Sequence, residues 1–461
     1  MYTLSKESIE THLNEKNIDV LKQILREVEE MEILAIITEL EPDEQVIVYR
    51  LLSKETALFV FEQLDTSSQQ ILLNSFTEGK AIEMMNDLSP DVRVQLLEEL
   101  PATVTKRLIA KLSPEERAIT NILMGYEAET AGRVMTTEYI ALKGKMTVAQ
   151  SLQKIKEIAS EMETIYTLYV TNQARQLEGV LSLKDLILAE SDDILENLMQ
   201  KVVIQVTTDT DQEDVARTLQ RFDLLAVPVV DKENRLVGII TVDDAMDIME
   251  EEVTEDVLDT AGIADVRTRE TNRSETLVFG SLFQIWKLRL PFLIFTLIGG
   301  MLSATVIGGF EETLESIAIV AIFIPIIMDM GGNVGTQSAA VFTRGMILGH
   351  IKVNSIGKNL LKEILVGLTL GAMVGVVAGT IAGVIGHMWH GVPQLGFAVG
   401  LSLIFATTLA SLLGFLIPMI LVRMNIDQVT GAGPIITSIK DISGLLVYFT
   451  LVNVFLGFMI G

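Results

Sequence analysis

The stretch Ile324–Arg344, IPIIMDMGGNVGTQSAAVFTR, places three polar side chains inside a strongly apolar run of the sequence. Asp329, Asn333 and Gln337 are spaced four residues apart, so on a helix they lie along one face. Glycines interrupt the same stretch at Gly331, Gly332 and Gly335. They remove side chains beside that face, which lets backbone carbonyls or a neighbouring helix come close. Because polar groups at membrane depth are costly unless they meet water or a partner helix, the stretch predicts one wall of an ion path.

Charge is distributed very unevenly along the 461 residues. Residues 1–280 contain 27 Lys and Arg against 54 Asp and Glu, a net charge of −27, whereas the remaining residues contain 8 against 7. An acidic soluble part is therefore joined to an apolar part. The acidity argues against nucleic acid and favours divalent cations as partners; the alternative is that it only keeps a large domain soluble. The absence of cysteine excludes disulfides and thiolate metal sites.

Residues 1–130 are predicted to form an all-α superhelix, because apolar residues recur every twelve positions. The repeated residues are Leu40, Leu52, Leu64, Phe76, Leu88, Leu100 and Leu112. Most of them are followed by a residue that favours a helix start: Ser53, Asp65, Thr77, Ser89 and Ser113. Nothing in this part resembles a catalytic set, which indicates a scaffold for interaction or sensing.

Residues 131–250 contain two copies of a different unit. LEGVLSLKDLI (Leu177–Ile187) matches LVGIITVDDAM (Leu236–Met246), and each copy follows a strand-like run and an amphipathic helix. This order resembles a tandem pair of CBS domains, small α+β units that commonly bind adenine nucleotides or gate an attached channel or enzyme. Asp185 and Asp243 fit the CBS pattern, so the resemblance implies a nucleotide site at these positions.

An acidic connecting helix is predicted over residues 251–280. The run Asp243–Ile263, DDAMDIMEEEVTEDVLDTAGI, is dense in carboxylates. Like charges this close repel each other by roughly a few tenths of a kcal/mol for each i,i+4 pair. One interpretation is a solvated linker helix, and the other is a helix whose position depends on cations bound between its carboxylates. Its place directly before the apolar half favours the second.

From residue 281 onward, five apolar runs each approach the ~20 residues needed to cross a bilayer. They are predicted at 288–309, 316–343, 364–386, 395–421 and 430–460. Outside these runs, Lys and Arg occur before the first, between the second and third, and between the fourth and fifth. The positive-inside rule makes those sides cytoplasmic. Without an apolar secretory signal in the first residues, we expect a cell-membrane protein with a cytoplasmic N-terminal half and an external C-terminus.

The third and fifth runs carry different signals. In the third, glycine recurs at every fourth position, at Gly367, Gly371, Gly375, Gly379 and Gly383, which predicts close helix packing and no chemistry. In the fifth, Asp441 is an ionisable residue inside a membrane span, for which a functional role is the default hypothesis. An ion pair with the adjacent Lys440 is the alternative. Because neighbouring residues point about 100° apart on a helix, both should not face one pore, and Asp441 is predicted to contact the ion.

These motifs together resemble the MgtE family of magnesium transporters and channels. The resemblance rests on GGNVGTQSA in the second run, DQVTGAGP and IKDISGLLVYF around the fifth, FEE in the first external loop, and the domain order. It implies a homodimer in the lipid bilayer with the ion path at the dimer interface, opened by low cytosolic magnesium. Mg²⁺ is the implied ligand, with ATP at the CBS pair.

By position, the resemblance assigns three groups of residues. The pore group is Asp441 with Asn333, Gly331, Gly332 and Gln337. The regulatory carboxylates are Asp91, Asp244, Asp247, Glu251, Glu252, Glu255, Asp256 and Asp427, which would bind Mg²⁺ and close the path. The external mouth is lined by Glu311 and Glu312.

The chemistry of magnesium suits this assignment. Mg²⁺ dehydrates reluctantly and is usually held through one or two carboxylates, so one Asp441 per subunit could hold a hydrated ion loosely enough for exit. The competing hypothesis is a membrane-anchored CBS sensor of nucleotide or metal without transport. A sensor of this kind would not need polar groups inside the membrane spans. An enzyme is not favoured, since no Ser/His/Asp set or phosphate loop is present and the chain has four histidines.

Overall fold

The computed structural model of the chain describes residues 5–15, 17–263, 274, 276–278, 280–347, 349–351, 356–424 and 432–457. The chain divides into two compact units, Met1–Glu252 and Val253–Gly461. The first unit contains the helical and CBS-like parts, and the second contains the apolar helices.

Short helices build the first part of unit one. They are α1 (Lys6–Asn14), α2 (Ile18–Glu27), α3 (Glu30–Ile37), α4 (Pro42–Tyr49), α5 (Lys54–Gln63), α6 (Thr66–Ser75), α7 (Glu78–Asp87), α8 (Pro90–Glu99), α9 (Ala102–Lys111) and α10 (Pro114–Leu123). From α5 to α10 the helices begin twelve residues apart, which confirms the predicted repeat. The repeated apolar residues Leu40, Leu64, Leu88 and Leu112 are buried in one continuous core.

The predicted helix caps are confirmed in part. Ser53, Asp65 and Ser113 each accept a hydrogen bond from the backbone N–H three residues later. Thr77 and Ser89 make no such bond. The hydroxyl of Ser89 instead donates to the carboxylate of Glu62 at 3.3 Å, so it is directed away from its own helix.

Three buried polar side chains recur at twice the spacing of the helices, and a fourth, Thr105, follows at a single spacing and donates to the carbonyl of Leu97 at 3.0 Å. The side chains of Gln45, Gln69 and Arg93 lie 24 residues apart, and each donates to the carbonyl oxygen eight residues earlier, at 3.1, 2.7 and 2.7 Å. The backbone N–H groups of Ser89 and Ser113 likewise each bond a side chain 27 residues earlier. From α4 to α8 these polar contacts therefore repeat with every second helix, which the twelve-residue apolar pattern did not predict.

Two similar α+β units follow. Their elements are α11 (Ala131–Val134), β1 (Ala141–Lys143), α12 (Val148–Ile158), β2 (Thr167–Thr171), β3 (Leu177–Ser182), α13 (Leu183–Leu188), α14 (Leu195–Leu198), β4 (Val206–Thr207), α15 (Gln212–Phe222), β5 (Ala226–Val230), β6 (Leu236–Thr241) and α16 (Val242–Thr260). The sheets have the orders β1-β2-β3 and β4-β5-β6, each with one parallel and one antiparallel pair. This repeated topology confirms the predicted tandem pair.

The two α+β units join through equivalent loops. The backbone N–H of Leu177 donates to the carbonyl of Asn234 at 3.1 Å, and that of Leu236 donates to the carbonyl of Arg175 at 2.9 Å. Arg175 and Asn234 both have positive φ angles, 66° and 60°. The reciprocal bonds give the pair an approximate two-fold symmetry.

The acidic helix has different bounds from those predicted. It is α16, which begins at Val242 directly after β6 and ends at Thr260, rather than spanning 251–280. Gly262 has a φ of +71°, and the N–H of Ile263 bonds the carbonyl of Leu258 at 3.0 Å. This left-handed glycine closes the helix in a Schellman arrangement.

Beyond the end of α16, unit two contains α17 (Leu282–Gly308), α18 (Glu311–Ser316), α19 (Ile324–Ile347), α20 (Ile356–His390), α21 (Leu395–Arg423) and α22 (Ala432–Leu456). A 3-10 turn, Ala318–Phe323, precedes α19. Within the described residues, five helices are long and apolar enough to cross a membrane, which confirms the predicted number of spans. Helix α20 starts before residue 364, where the third span was predicted to begin.

The glycines of α20 pack against α21. A Cβ atom added at Gly375 would lie 2.5 Å from the carbonyl oxygen of Gly400, and one added at Gly400 would lie 2.9 Å from the carbonyl oxygen of Gly375. Neither position therefore accommodates a side chain without moving a backbone. The predicted packing role of the glycine stripe is confirmed.

Candidate ion path and regulatory carboxylates

The polar residues of α19 lie on one face, as the spacing predicts. The side-chain amide of Asn333 donates to Oδ2 of Asp329 at 3.2 Å. Asp329, Asn333 and Gln337 are all exposed in the single chain. A polar face is therefore left uncovered in the middle of an apolar helix.

Lys440 connects α22 to α19. Its side chain is 3% exposed, and its ammonium group donates to the carbonyl of Gly332 at 2.8 Å and lies 3.5 Å from the hydroxyl of Thr336. The Thr336 hydroxyl itself donates to the same carbonyl at 2.9 Å. The carbonyl of Gly332, which was assigned to the ion path, thus accepts a hydrogen bond from a protein cation.

Gly335 makes room for this connection. A Cβ atom added at Gly335 would overlap the side chain of Lys440, and one added at Gly414 on α21 would overlap the carbonyl of Gly335. At this level, α19 therefore has α22 on one side and α21 on another, both in close contact with its backbone. The predicted close approach of neighbouring helices to the glycines is found here.

Asp441 is half-buried on α22. Salt bridges within 4.0 Å among the described residues include neither Asp441 nor Lys440. The alternative of an ion pair between the two neighbours is therefore not realised, because the ammonium group of Lys440 is engaged by α19. The two side chains point in different directions, as their angular separation on the helix predicts.

A second polar group inside unit two involves Glu363, which the sequence analysis did not single out. The hydroxyl of Ser338 donates to Oε1 of Glu363 at 2.7 Å, and the hydroxyl of Ser411 donates to the backbone carbonyl of Glu363 at 2.9 Å. The two hydroxyl oxygens are 3.1 Å apart. Glu363 on α20 thus joins α19 through its carboxylate and α21 through its backbone carbonyl.

Replacing Glu363 with alanine should lower the thermal stability of the membrane unit. The change leaves the buried hydroxyl of Ser338 without its carboxylate acceptor, which costs about 1–3 kcal/mol for a buried polar group, while Ser411 keeps the backbone carbonyl as its acceptor. The two tryptophans of the chain, Trp286 and Trp389, lie in α17 and α20 and report unfolding by fluorescence in detergent. The control is Lys362→Ala at an exposed neighbour. Equal unfolding temperatures for the two variants would contradict a structural role for Glu363.

The predicted mouth residues lie on α18. Glu311 and Glu312 occupy its first turn and are exposed. They line a cleft of about 540 Å³ together with Asn453 of α22. The hydroxyl of Thr313 donates to the side-chain carbonyl of Asn453 at 2.9 Å, which fixes this short helix against α22.

Carboxylates from three parts of unit one converge around Asp91. Burial, and then the charges of Asp244 and Glu163, raise the pKa of Asp91 well above its usual range. Burial raises the pKa of Asp244 to about 6. A hydrogen bond from Thr241 opposes this shift, and the charge of Asp243 adds to it. Asp91 and Asp244, which the resemblance assigns to the same regulatory group, therefore interact in the structure.

Two glutamates that the sequence analysis missed belong to the same cluster. The protein atoms packed around the carboxyl group of Glu163 raise its pKa to about 7, although part of the side chain is exposed, and Asp244 adds to the shift. Burial, followed by the charges of Glu116 and Glu62, raises the pKa of Glu138 to about 7. No sequence signal places these residues near Asp91, because the contact depends on how the helical part packs on the α+β pair.

One atom of the cluster lacks a partner. Oδ1 of Asp91 is enclosed and makes no hydrogen bond. Burying a carboxylate oxygen without a partner is unfavourable, so this atom has the capacity to bind a cation. Among the described residues, no three His, Asp or Glu side chains already form a metal cage. Asp247 is exposed on α16 one turn after Asp243.

The remaining predicted regulatory residues lie along α16 or outside the described residues. Oε1 of Glu252 accepts a hydrogen bond from Gln212 at 2.7 Å, and burial raises the pKa of Glu252 to about 7. Glu251, Glu255 and Asp256 are half-buried. Asp427 lies outside the described residues.

The nucleotide positions need one correction. Asp185 accepts hydrogen bonds from the N–H and hydroxyl of Ser182, at 2.9 and 2.7 Å. In the second unit the equivalent bonds run from Thr241 to Asp244, at 3.2 and 2.6 Å, and not to Asp243. The residue equivalent to Asp185 is therefore Asp244, because the acid that closes this turn lies three residues after the Ser or Thr.

Comparisons with known families cover nearly the whole chain. The family model MgtE, described as a divalent cation transporter, matches residues 324–451. The model of the MgtE intracellular N domain matches residues 4–129, and the CBS domain model matches residues 131–192 and 194–251. The matched segments follow the order of the parts found in the structure.

Relatives of similar length are transporters by name. The magnesium transporter MgtE of Thermus thermophilus is 33% identical over 454 residues, covering 97% of this chain and 98% of the relative. The magnesium transporter MgtE of Bacillus subtilis is 34% identical over 394 residues, covering 86% of this chain and 84% of the relative. The crystal structure of the cytosolic domain of the Mg²⁺ channel MgtE in complex with ATP is 37% identical, with a TM-score of 0.50, and covers 53% of this chain and 99% of that chain.

Proposed function

Because this chain belongs to the MgtE family of magnesium transporters, we propose that its apolar half conducts Mg²⁺ across the cell membrane under the control of its acidic half. The observation that carries the proposal is the uncovered polar face of Asp329, Asn333 and Gln337 in a membrane-spanning helix. Exposed polar side chains at membrane depth require water or a partner. A homodimer in which these faces line a shared water-filled path would give the polar side chains both water and a partner helix.

The residues of the path suit a hydrated ion. Asp441 brings a carboxylate that makes no ion pair, and Asn333 brings an amide to the same membrane half. Two copies in a dimer would give two carboxylates, which is the usual protein share of a Mg²⁺ shell that keeps several waters. Weak contacts through water also allow the ion to leave.

Flux into liposomes tests this function. Purified protein would be reconstituted with an internal Mg²⁺-sensitive dye, and external Mg²⁺ would be added. We expect dye response in protein liposomes and none in empty ones. A protein that binds nucleotide but gives no Mg²⁺ flux at low internal Mg²⁺ would favour the sensor alternative.

The carboxylates of unit one supply a site for regulation by Mg²⁺. Asp91, Asp244 and Glu163 repel one another when all are ionised, and Oδ1 of Asp91 has no partner. Binding of Mg²⁺ would bridge these groups and stabilise the packing of the helical part on the α+β pair. The carboxylates of α16, with Asp427, would bind further Mg²⁺ ions and so favour a closed path.

The packing of unit one should depend on pH when Mg²⁺ is removed. The pKa values of Asp244, Glu163 and Glu138 are raised to about 6, 7 and 7 in the folded state. A carboxyl group whose pKa is raised in the folded state stabilises that state at low pH. This stabilisation is lost as the pH rises through the folded-state pKa. Protection of α8 and α16 in hydrogen exchange should therefore fall as the pH rises from about 4, the ordinary carboxyl pKa, to about 7, after correction for intrinsic rates.

Addition of millimolar Mg²⁺ should restore this protection at pH 8, because the ion replaces the lost protons. The Asp91→Asn variant should show a weaker pH dependence in Mg²⁺-free buffer. A protection that is constant over the pH range, or unaffected by Mg²⁺, would contradict the regulatory site.

ATP is proposed as a ligand of the CBS pair. The similar cytosolic domain was crystallised with ATP, and the exposed carboxylate of Asp185 is free of salt bridges among the described residues and suited to accept hydrogen bonds from a ribose. Equilibrium dialysis with labelled ATP, using wild type and Asp185→Ala, tests this.

The external C-terminus is also a proposal, and protease access to a C-terminal tag in intact cells tests it.

A further inference from the structure

We propose that Lys440 is a positioning residue for permeation, whose fixed positive charge prevents Asp441 from holding Mg²⁺ too tightly. The inference rests on the proposed role of Asp441 in the ion path. Three features of the structure support it: the burial of the ammonium group, the contacts that hold it, and the missing side chain at Gly335.

The ammonium group of Lys440 is buried without a carboxylate in contact. The side chain is 3% exposed, and no salt bridge of Lys440 occurs among the described residues. A buried charge in an apolar helix costs free energy that an apolar side chain of the same length would not. Close packing alone therefore does not account for a lysine at this position.

The contacts of the ammonium group hold it on α19. It donates to the carbonyl of Gly332 at 2.8 Å and lies 3.5 Å from the hydroxyl of Thr336. Gly335 leaves the space through which the side chain passes, since a Cβ atom there would overlap it. The charge is thus fixed beside the path and does not swing onto the carboxylate of Asp441.

This placement sets how strongly Asp441 attracts a cation. In an environment of low dielectric constant, charges interact over several ångströms. An ammonium group attached to the preceding residue therefore opposes the attraction of the carboxylate for a divalent ion, without occupying it as an ion pair would. Conduction requires binding that is strong enough for entry and weak enough for exit. Lys440 makes the binding weak enough for the ion to leave.

The test compares variants of the full-length protein in the liposome flux assay. Lys440→Met removes the charge and keeps the length of the side chain. We expect its half-saturating Mg²⁺ concentration to fall at least about tenfold, equivalent to ~1.4 kcal/mol tighter binding, while its maximal flux also falls. Lys440→Arg keeps the charge and should restore the half-saturating concentration towards the wild-type value.

Two further variants separate charge from packing. Lys440→Gln removes the charge but keeps a donor for the Gly332 carbonyl, and it should also show tighter half-saturation and lower maximal flux. Thr336→Val removes the weaker contact and keeps the charge, so its half-saturation should match wild type. A purely structural role would instead lower flux without lowering the half-saturating concentration.

The outcomes distinguish this inference from the function on which it rests. If the folded uncharged variants keep the wild-type half-saturation while Asp441→Asn abolishes flux, the inference is wrong and the proposed path stands. If Asp441→Asn conducts like wild type, the proposed path itself is wrong. Size-exclusion profiles of all variants identify those that fold, and Lys440→Gln decides the matter should Lys440→Met fail to fold.

Discussion

Replacing Asp441 with asparagine is expected to reduce Mg²⁺ flux by at least about 100-fold in reconstituted liposomes. Asp441 is the one carboxylate in the sequence of α22, and it makes no salt bridge among the described residues. Asparagine has the same shape but carries no charge, and a loss of about 2.7 kcal/mol in ion stabilisation corresponds to that factor. Flux measured with a Mg²⁺-sensitive dye over a range of external concentrations gives both the rate and the half-saturation.

A serine on the same helix provides the control. The hydroxyl of Ser443 donates to the carbonyl of Ile439 within α22 at 2.6 Å. Ser443→Ala should therefore conduct like wild type. Wild-type flux in Asp441→Asn, with an unchanged size-exclusion profile, would remove this residue from the ion path.

Neutralising Glu255, Asp256 and Asp427 together should leave the protein conducting at Mg²⁺ concentrations that close the wild type. We expect the Mg²⁺ concentration for half-inhibition from the cytosolic side to rise at least about tenfold. Moving a two-state equilibrium from 1:99 to 99:1 requires ~5.5 kcal/mol of preferential binding. Several carboxylate sites acting together supply such a preference, so the loss of three carboxylates shifts the midpoint strongly.

A control of equal charge separates this effect from a general change of surface potential. Glu190, Asp192 and Glu196 are exposed acids of the first α+β unit. Their joint replacement by the corresponding amides changes the net charge by the same amount and should leave half-inhibition unchanged. Equal midpoints in wild type and in the Glu255, Asp256 and Asp427 variant would refute closure by Mg²⁺ at these residues.

The parts of the structure that depend on local pattern were predictable. The twelve-residue repeat, the duplicated α+β unit and the five apolar helices follow from periodicity and hydropathy. The shared face of Asp329 and Asn333 follows from their spacing, and their hydrogen bond confirms it. The separation of Lys440 from Asp441 follows from the angle between neighbouring helix positions.

The parts of the structure that depend on tertiary packing could not be predicted from the sequence. Glu163 and Asp91 are far apart in sequence, and they interact because the helical part packs against the α+β pair. Glu363 precedes the predicted start of the third span, so its bond to Ser338 could not be expected. The bounds of α16 were also missed, because its acidic composition obscured its start at the end of β6 and its stop at Gly262.

The polar contacts that repeat with every second helix limit how the length of the N-terminal part can change during evolution. Gln45, Gln69 and Arg93 stay in phase when 24 residues are gained or lost, since each keeps its carbonyl partner and each helix keeps its neighbour. A gain or loss of 12 residues would instead interrupt the bonds that the N–H groups of Ser89 and Ser113 make to side chains 27 residues earlier. Homologous N-terminal parts of different size should therefore differ by whole pairs of helices.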